Sequence, residues 1–432
     1  MKTTPLPRAI WTVFLFSSIY WIILAFQSFS ADGLGYKDLG SILYHHGLIG
    51  YASSVLHREP LYPLLCSWAM QVESLTGITF THVMAAASAM LLLTAQILMC
   101  IIMRRLNIPV WISCAALLYW AVSPTVTSSA FNILFFCEII TYPLILGAVM
   151  AGHQGWMRAG QGHSKAACGY GALTGILFTA LTLVKAAFEC ICPAYLMLLL
   201  AISLYQRKMS FSVVCFVAAA GVFFYFPIIG YKCLNKKYNG NFAIADRGPQ
   251  TLYGNVIRRL QQPLTSREYL AGLTCIIGDD LCQRHFQSQE CASWSFHLSD
   301  NLGSQKVAEL TRAHLPPQAI TDNLLRLSKE QALRHGPKYV LLTLTESLRG
   351  YFWEGGNSLL QTLMAAATFF ALLYCVFSLG RLPGLIRHMV AIIFFFIFFY
   401  SFFDILPRHM LPLAPLYLIS ITYCLYSILS RY

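Results

Sequence analysis

Apolar positions along this chain gather into blocks separated by short polar breaks. A helix needs ~20 predominantly apolar residues to cross the hydrocarbon core of a bilayer, and about ten blocks approach that length. The pattern predicts membrane spans at 9–29, 82–103, 109–127, 131–151, 168–187, 190–206, 211–231, 359–379, 388–403 and 411–429. The run at 388–403 is short, and Pro124 with neighbouring Ser and Thr interrupts 109–151. Two longer polar stretches remain, a first loop at 30–81 and a segment at 232–357. Within the second, 252–261, 265–274, 304–314 and 318–335 show helical spacing broken by Pro, Gly and Asp, which predicts a small helical cap and not an independent catalytic domain. His335–Trp353 carries Tyr339, Leu342, Leu348, Phe352 and Trp353 with Lys338 and Arg349. That is the pattern of an amphipathic helix on the membrane surface, or of a simple lead-in to the eighth span. The chain shows no internal repeat of the kind that marks many secondary transporters.

Composition agrees with the pattern. Hydrophobic residues make up 57% of the chain and charged residues 11%, with mean hydropathy +0.59. Those values exclude an ordinary soluble domain and predict an all-α polytopic membrane protein. Its expected organisation is an N-terminal transmembrane module over 1–231, a large outer loop over 232–357, and C-terminal transmembrane helices over 358–432.

The net charge is +12. Lys2, Arg8, Arg104, Arg105, Arg158, Lys165, Arg207, Lys208, Arg381, Arg387 and Arg431 fall on one side of a ten-span topology, which makes that side cytoplasmic. Both termini are then inside, and 30–81 and 232–357 outside. Gln27 to Ala31 lacks a small-residue cleavage site, so the first span is read as a retained anchor. The remaining cations, Arg247, Arg258, Arg259, Arg267, Arg284, Lys306 and Arg312, lie in the outer segment, where an anionic lipid surface or a phosphate-bearing substrate suits them better than nucleic acid. Of fourteen cysteines, nine sit in or beside spans as small apolar residues and Cys66 lies in the first loop, leaving Cys233, Cys275, Cys282 and Cys291 in the outer segment or at its start. In an oxidising compartment a Cys275–Cys282 or Cys282–Cys291 bridge is expected, and the spacings lack the two close pairs of a zinc site.

Candidate chemistry concentrates in the first loop. Asp32, Tyr36 and Asp38 follow the first span. Asp32 and Tyr36 would share a face of a surface helix continued by Gly40, placing a carboxylate where it can act as general base for a hydroxyl nucleophile. Asp38 reads as an interfacial polar residue. His45, His46 and His57 have no carboxylate or cysteine at a short ligand spacing and read as interfacial histidines, not metal ligands. Arg58-Glu59-Pro60-Leu61-Tyr62-Pro63 forms a turn at the depth of Asp32, because the residue before a proline leaves helical geometry.

Ionisable groups within or at the ends of spans are functional candidates. Lys185 either binds a phosphate or snorkels outward beside Glu189, and Glu138 either joins a site or bonds a neighbouring helix. Asp404, Arg408 and His409 flank the last span, and the planar fork of Arg408 suits a phosphate. The ten-span topology puts Lys185, Glu189, Asp404 and Arg408 on the same outer face as Asp32.

Three runs, Asp32-Gly33-Leu34-Gly35-Tyr36, Gly47-Leu48-Ile49-Gly50-Tyr51 and Arg58-Glu59-Pro60-Leu61-Tyr62-Pro63-Leu64-Leu65, resemble the first outer loop of GT-C glycosyltransferases. The similarity points to the bacterial polyprenyl-phosphate-sugar branch related to protein O-mannosyltransferases and lipid A aminoarabinose transferases. Gly169–Pro193 is similar to that group's fifth-span region, Asn235 with Gly240-Asn241-Phe242 to the segment leaving the seventh span, and Arg408-His409 before Pro412 to the start of the last span. The order of these motifs, over most of the chain outside 250–335, carries the resemblance. Many relatives have paired carboxylates where this chain has Asp32-Gly33, so either Asp32 acts alone or Glu59 or Glu138 supplies the second.

The resemblance implies a GT-C fold and inverting transfer of a hexosyl or pentosyl group from a polyprenyl-phosphate donor. The acceptor would be a hydroxyl of a glycan, lipid or protein at the periplasmic face of a bacterial inner membrane, in surface polysaccharide or lipopolysaccharide modification. It assigns Asp32 as catalytic base, Arg408, Lys185 and Arg58 to the donor phosphate, and Tyr36, Glu59, Glu138 and His409 to support. No cofactor or metal is implied, with a divalent cation left as an alternative; membrane lipids are the remaining partners. The rival class is a transporter or flippase of a lipid-linked saccharide, which needs polar residues through the membrane depth.

Overall fold

A computed structural model describes residues 7–28, 35–54, 58–131, 137–245, 247–261, 265–277, 279–287, 291, 294, 296–348, 359–403 and 410–430. Asp32, His57, Arg349, Phe352, Trp353, Asp404, Arg408 and His409 lie outside the described residues. In chain order the helices are α1 (Arg8–Ser28), α2 (Tyr36–Ser53), α3 (Leu61–Thr76), α4 (Phe80–Arg105), α5 (Val110–Val122), α6 (Pro124–Phe131), α7 (Glu138–Gly160), α8 (Ser164–Val184), α9 (Phe188–Tyr205), α10 (Phe211–Asn239), α11 (Arg247–Gln261), α12 (Ser266–Ile277), α13 (Asp279–His285), α14 (Phe296–Arg312), α15 (Pro317–Arg334), α16 (Gly336–Ser347), α17 (Leu359–Phe377), α18 (Gly384–Phe403) and α19 (Ala414–Leu429). There is no strand among the described residues. Seven helices among them are long and apolar enough to cross a membrane, namely α1, α4, α8, α9, α10, α18 and α19, the last with the short turn before it. The protein is an all-α, multi-pass membrane protein.

Several predicted spans change length. The expected 109–127 helix stops at Val122, because the chain turns at Ser123 and Pro124, which cannot continue a ladder but suits a first turn, opens α6. At 1.5 Å per residue, the 13 residues of α5 reach only about 20 Å, short of a ~30 Å hydrocarbon core. α7 runs on to Gly160, and α18 starts at Gly384, just after Pro383, which gives the short 388–403 run a helix of 20 residues. α10 extends to Asn239 and ends where Gly240 takes a left-handed φ of 78°; the Asn235 amide donates to the Ala243 carbonyl at 2.7 Å to fasten that exit.

The chain divides into two compact units, one of 1–230, 371–393 and 411–432, the other of 231–370 and 394–410. In the first, polar side chains tie apolar helices together. Gln96 on α4 donates to Ser17 of α1 and to the Leu117 carbonyl of α5, and the Trp21 indole donates to the Ala121 carbonyl. α8 presents Gly171, Gly175 and Thr179 at four-residue spacing to α10. A side chain at either glycine would strike the Phe216 or Ala220 carbonyl, and Thr179 donates to the carbonyls of Phe223 and Phe224. Small residues on one stripe allow this close backbone approach, the usual solution where lipid removes the hydrophobic drive between helices.

In the second unit, Arg258 and Arg259 correct the expectation that they face a lipid surface or ligand, whereas Arg267, Arg284 and Arg312 are exposed. Arg258 and Arg259 are buried, and both pair with the Glu346 carboxylate of α16. Arg259 also donates to Thr343 and to the Ser401 carbonyl, each at 2.7 Å, and lies over the Tyr339 ring. Arg247 pairs with Asp300, and Lys306 with Glu309. α16 carries apolar residues on both its buried and its exposed sides. Tyr339, Leu342, Thr343, Thr345 and Glu346 are buried, while Val340, Leu341 and Leu344 are exposed. A cavity of about 340 Å³ between α16 and the 394–402 stretch of α18 is lined by Tyr339, Thr343, Leu344, Phe394, Phe398 and Ser401. Of the two expected bridges, the structure forms Cys282–Cys291, with Cα atoms 6.0 Å apart.

Candidate functional site

The Arg58-Glu59-Pro60 turn is held from both sides. Pro60 keeps the chain from entering α3 early, so Arg58 and Glu59 sit in a non-helical corner between α2 and α3. The Tyr51 hydroxyl donates to the Arg58 carbonyl at 2.7 Å, which fixes the corner against the last turn of α2. The hairpin itself closes tightly, because Gly40 of α2 meets Cys66 of α3 with no room for a side chain.

Gly35 precedes α2 with φ 70°, so the helix starts at Tyr36. The left-handed conformation is one that glycine adopts without strain; Asp32, expected to share a helical face with Tyr36, lies outside the described residues. Tyr36 keeps its helical relation to Gly40, and that buried face packs on α3, where the Tyr62 ring meets the Tyr36 ring edge-on at 4.8 Å. The Arg58 guanidinium sits over the Tyr36 ring at 5.6 Å.

On the other side, α8 stops at Val184 and Lys185 adopts an extended conformation before α9 begins. The break leaves backbone N–H groups without helical acceptors. Glu59 supplies one: its Oε1 accepts from the Ala186 N–H at 2.9 Å, a carboxylate placed beside the N-terminus of α9. The Lys185 ammonium reaches Oε1 of Glu138 at 2.7 Å. Lys185 is 8% exposed and Glu138 5%, so the lysine does not snorkel outward, and its ion pair is made across helices where the sequence offered the nearer Glu189. Glu138 is the first residue of α7, where the helix dipole favours a negative charge. Its second oxygen accepts from the Cys137 thiol at 3.5 Å, and the Thr141 hydroxyl bonds the Glu138 carbonyl.

Tyr36, Arg58, Glu59, Glu138 and Lys185 are therefore brought into one neighbourhood within the first unit. Lys185 and Glu138 form its buried floor, and Arg58 and Glu59 are half-buried. Burial pushes the Tyr36 phenol well above its ordinary range, with Cys137, Glu138 and Glu59 adding to the rise and Arg58 opposing it. Tyr36 is thus a hydroxyl donor at neutral pH. Cys137 was read only as an apolar span residue, yet its thiol donates to Glu138. Its place directly before Glu138 was the one signal of that role. The Ala186 N–H was not anticipated, because a helix break inside an apolar run leaves little trace in composition.

Asp32, Arg408 and His409 fall outside the described residues. His45 and His46 are exposed, with the His45 ring against Tyr44. The cluster has the parts of an anion-handling site: a desolvated ammonium fixed by the Glu138 carboxylate, and a guanidinium over an aromatic face. No family model matches the chain, and no curated protein matches it.

Proposed function

We propose that this protein is a membrane glycosyltransferase that moves a sugar from a polyprenyl-phosphate donor to an acceptor hydroxyl. The observation that supports this most is the meeting of two motif segments far apart in sequence. The Arg58-Glu59-Pro60 turn and the helix break at Lys185 share one buried polar cluster through Glu59 and the Ala186 N–H. Both segments carry the resemblance to GT-C enzymes.

In the proposed reaction the acceptor oxygen bonds the anomeric carbon as the bond from that carbon to the phosphate oxygen breaks. Asp32 takes the acceptor proton, and polyprenyl phosphate leaves with the electron pair. Charge rises on the departing phosphate, so Lys185, Arg58 and Arg408 act where they stabilise the transition state more than the bound donor. Glu138 already holds Lys185, and Glu59 already caps α9, which favours Asp32 as sole base with the two glutamates as positioning residues. Tyr36 contributes a protonated hydroxyl and an aromatic support for Arg58. The bacterial inner membrane, with the site on its periplasmic face, is the compartment that fits this chemistry.

The test uses purified protein in detergent with a panel of polyprenyl-phosphate-linked hexoses and pentoses, reading release of polyprenyl phosphate. Asp32→Asn should cut turnover ~100-fold or more, the scale of general base catalysis, while leaving size-exclusion behaviour unchanged. Lys185→Met should lower turnover more than donor affinity. Release of no sugar by the wild type, together with movement of a fluorescent lipid-linked saccharide across vesicles that carry it, would replace this reading with a flippase.

A further inference from the structure

The second unit gathers three cysteine sulfurs at one point of its core. Cys282 and Cys291 are bridged, Cys275 keeps a thiol, and the three sulfurs lie within 4.8 Å of one another. They are buried with Ala271, Trp294 and Leu342, and Phe286 packs against them. Spacing along the chain offered either Cys275 or Cys291 as the partner of Cys282, and the structure gathers all three.

The placement is built from several contacts. Glu268, Ala271, Gly272 and Cys275 share one face of α12. The Trp294 ring fills the space over Gly272, and its indole N–H donates to the Glu268 carbonyl at 3.0 Å. The Trp294 N–H bonds back to the Cys291 carbonyl at 3.0 Å, so docking the tryptophan draws Cys291 against α12 about one turn from the indole anchor. Thr265 and Glu268 form a reciprocal capping box that fixes the start of the same helix.

We propose that this cluster is a thiol–disulfide exchange site in which one bridge migrates among three cysteines. When local opening admits water to the buried Cys275, its thiol gives up its proton, and the thiolate attacks Sγ of Cys291 or Cys282. The new S–S bond forms as the Cys282–Cys291 bond breaks, and the displaced sulfur leaves as a thiolate that takes up a proton. One disulfide and one thiol are present before and after, so no oxidant or reductant is consumed. The isomers differ mechanically. Cys282–Cys291 leaves α12 without a covalent tie, whereas Cys275–Cys291 links α12 across the whole of α13. Exchange therefore transfers a cross-link onto α12, and its rate follows the thiolate fraction.

The full-length protein, purified without reductant, is held at pH 7 and at pH 9, quenched with acid, alkylated and mapped by mass spectrometry. Expected are peptides joining Cys275 to Cys291 or Cys282 alongside the Cys282–Cys291 peptide. The share of molecules with an alkylated Cys282 or Cys291 thiol should appear sooner at pH 9. In Cys282→Ala, Cys275 and Cys291 should bridge, so that neither is alkylated. The wild-type map decides the matter even if that variant fails to fold. Alkylation of Cys275 in essentially every wild-type molecule at both pH values, with Cys282–Cys291 the only bridge, would overturn the proposal.

Discussion

Arg259 and Lys185 show how single ionisable residues are settled in this protein. Arg259 is 1% exposed; its Nε and Nη2 donate to Glu346, Nη1 to Thr343, and Nη2 also to the Ser401 carbonyl. A fork of this kind holds a carboxylate more firmly than a point charge, and desolvation makes each bond costly to lose. Replacing the shared carboxylate by an amide leaves two buried guanidiniums facing a neutral group. Glu346→Gln is expected to destabilise the second unit by about 3–5 kcal/mol, the cost of breaking a buried ion pair from one side. A thermal melt of the detergent-solubilised protein, followed by circular dichroism, would register this as a clear fall in midpoint. A midpoint within error of the wild type would show that the pair contributes little. Lys185 obeys the same rule: in an apolar helix break it takes a partner from another helix, Glu138.

At the scale of elements, breaks matter as much as helices. Pro124 ends one apolar run, Gly35 starts α2, and the Lys185 break separates α8 from α9 so that Glu59 finds a backbone donor. Helix contact in the first unit depends on the absence of side chains. Gly175 faces the Ala220 carbonyl and the Phe224 backbone of α10, whereas Gly169 on α8 meets nothing within 4 Å. Gly175→Leu is expected to force the two helices apart and cost ~1–3 kcal/mol or more through overpacking, while Gly169→Leu should be nearly silent. Fluorescence-detected size exclusion of the two variants checks this: loss of the monodisperse peak for Gly175→Leu alone is the expected outcome, and equal behaviour would remove the close-contact argument.

For the whole molecule, the distribution of short-loop cations reads as an orientation with the α2–α3 hairpin outside and the α7–α8 connection inside. Arg158 and Lys165 bracket that connection, and Leu75 near the end of α3 is 83% exposed. In a background lacking the other exposed cysteines, Leu75→Cys should react with a membrane-impermeant maleimide on intact cells. Gln161→Cys should react only after permeabilisation. The opposite pattern would invert the protein and move the Arg58-Glu59 cluster to the cytoplasmic face.

What the chain alone determined was its class and most of its helices. Long apolar runs leave a helix as the way to satisfy backbone groups in hydrocarbon, so α1, α4, α8, α9, α10, α18 and α19 follow from composition and length. The Pro60 corner and the Cys282–Cys291 bridge, one of two expected, were also legible, because proline restricts its predecessor and nearby cysteines in an oxidising compartment pair. Only the tertiary structure decided the partners of the charges. Glu138 for Lys185, the Ala186 N–H for Glu59 and Glu346 for both Arg258 and Arg259 are separated by long stretches of chain. Electrostatic pairing depends on distance in space and on desolvation, and neither is written in sequence spacing. The cysteines show the same division: spacing offered Cys275 and Cys291 as alternative partners of Cys282, and only the structure decides that Cys291 takes the bridge with Cys275 beside it.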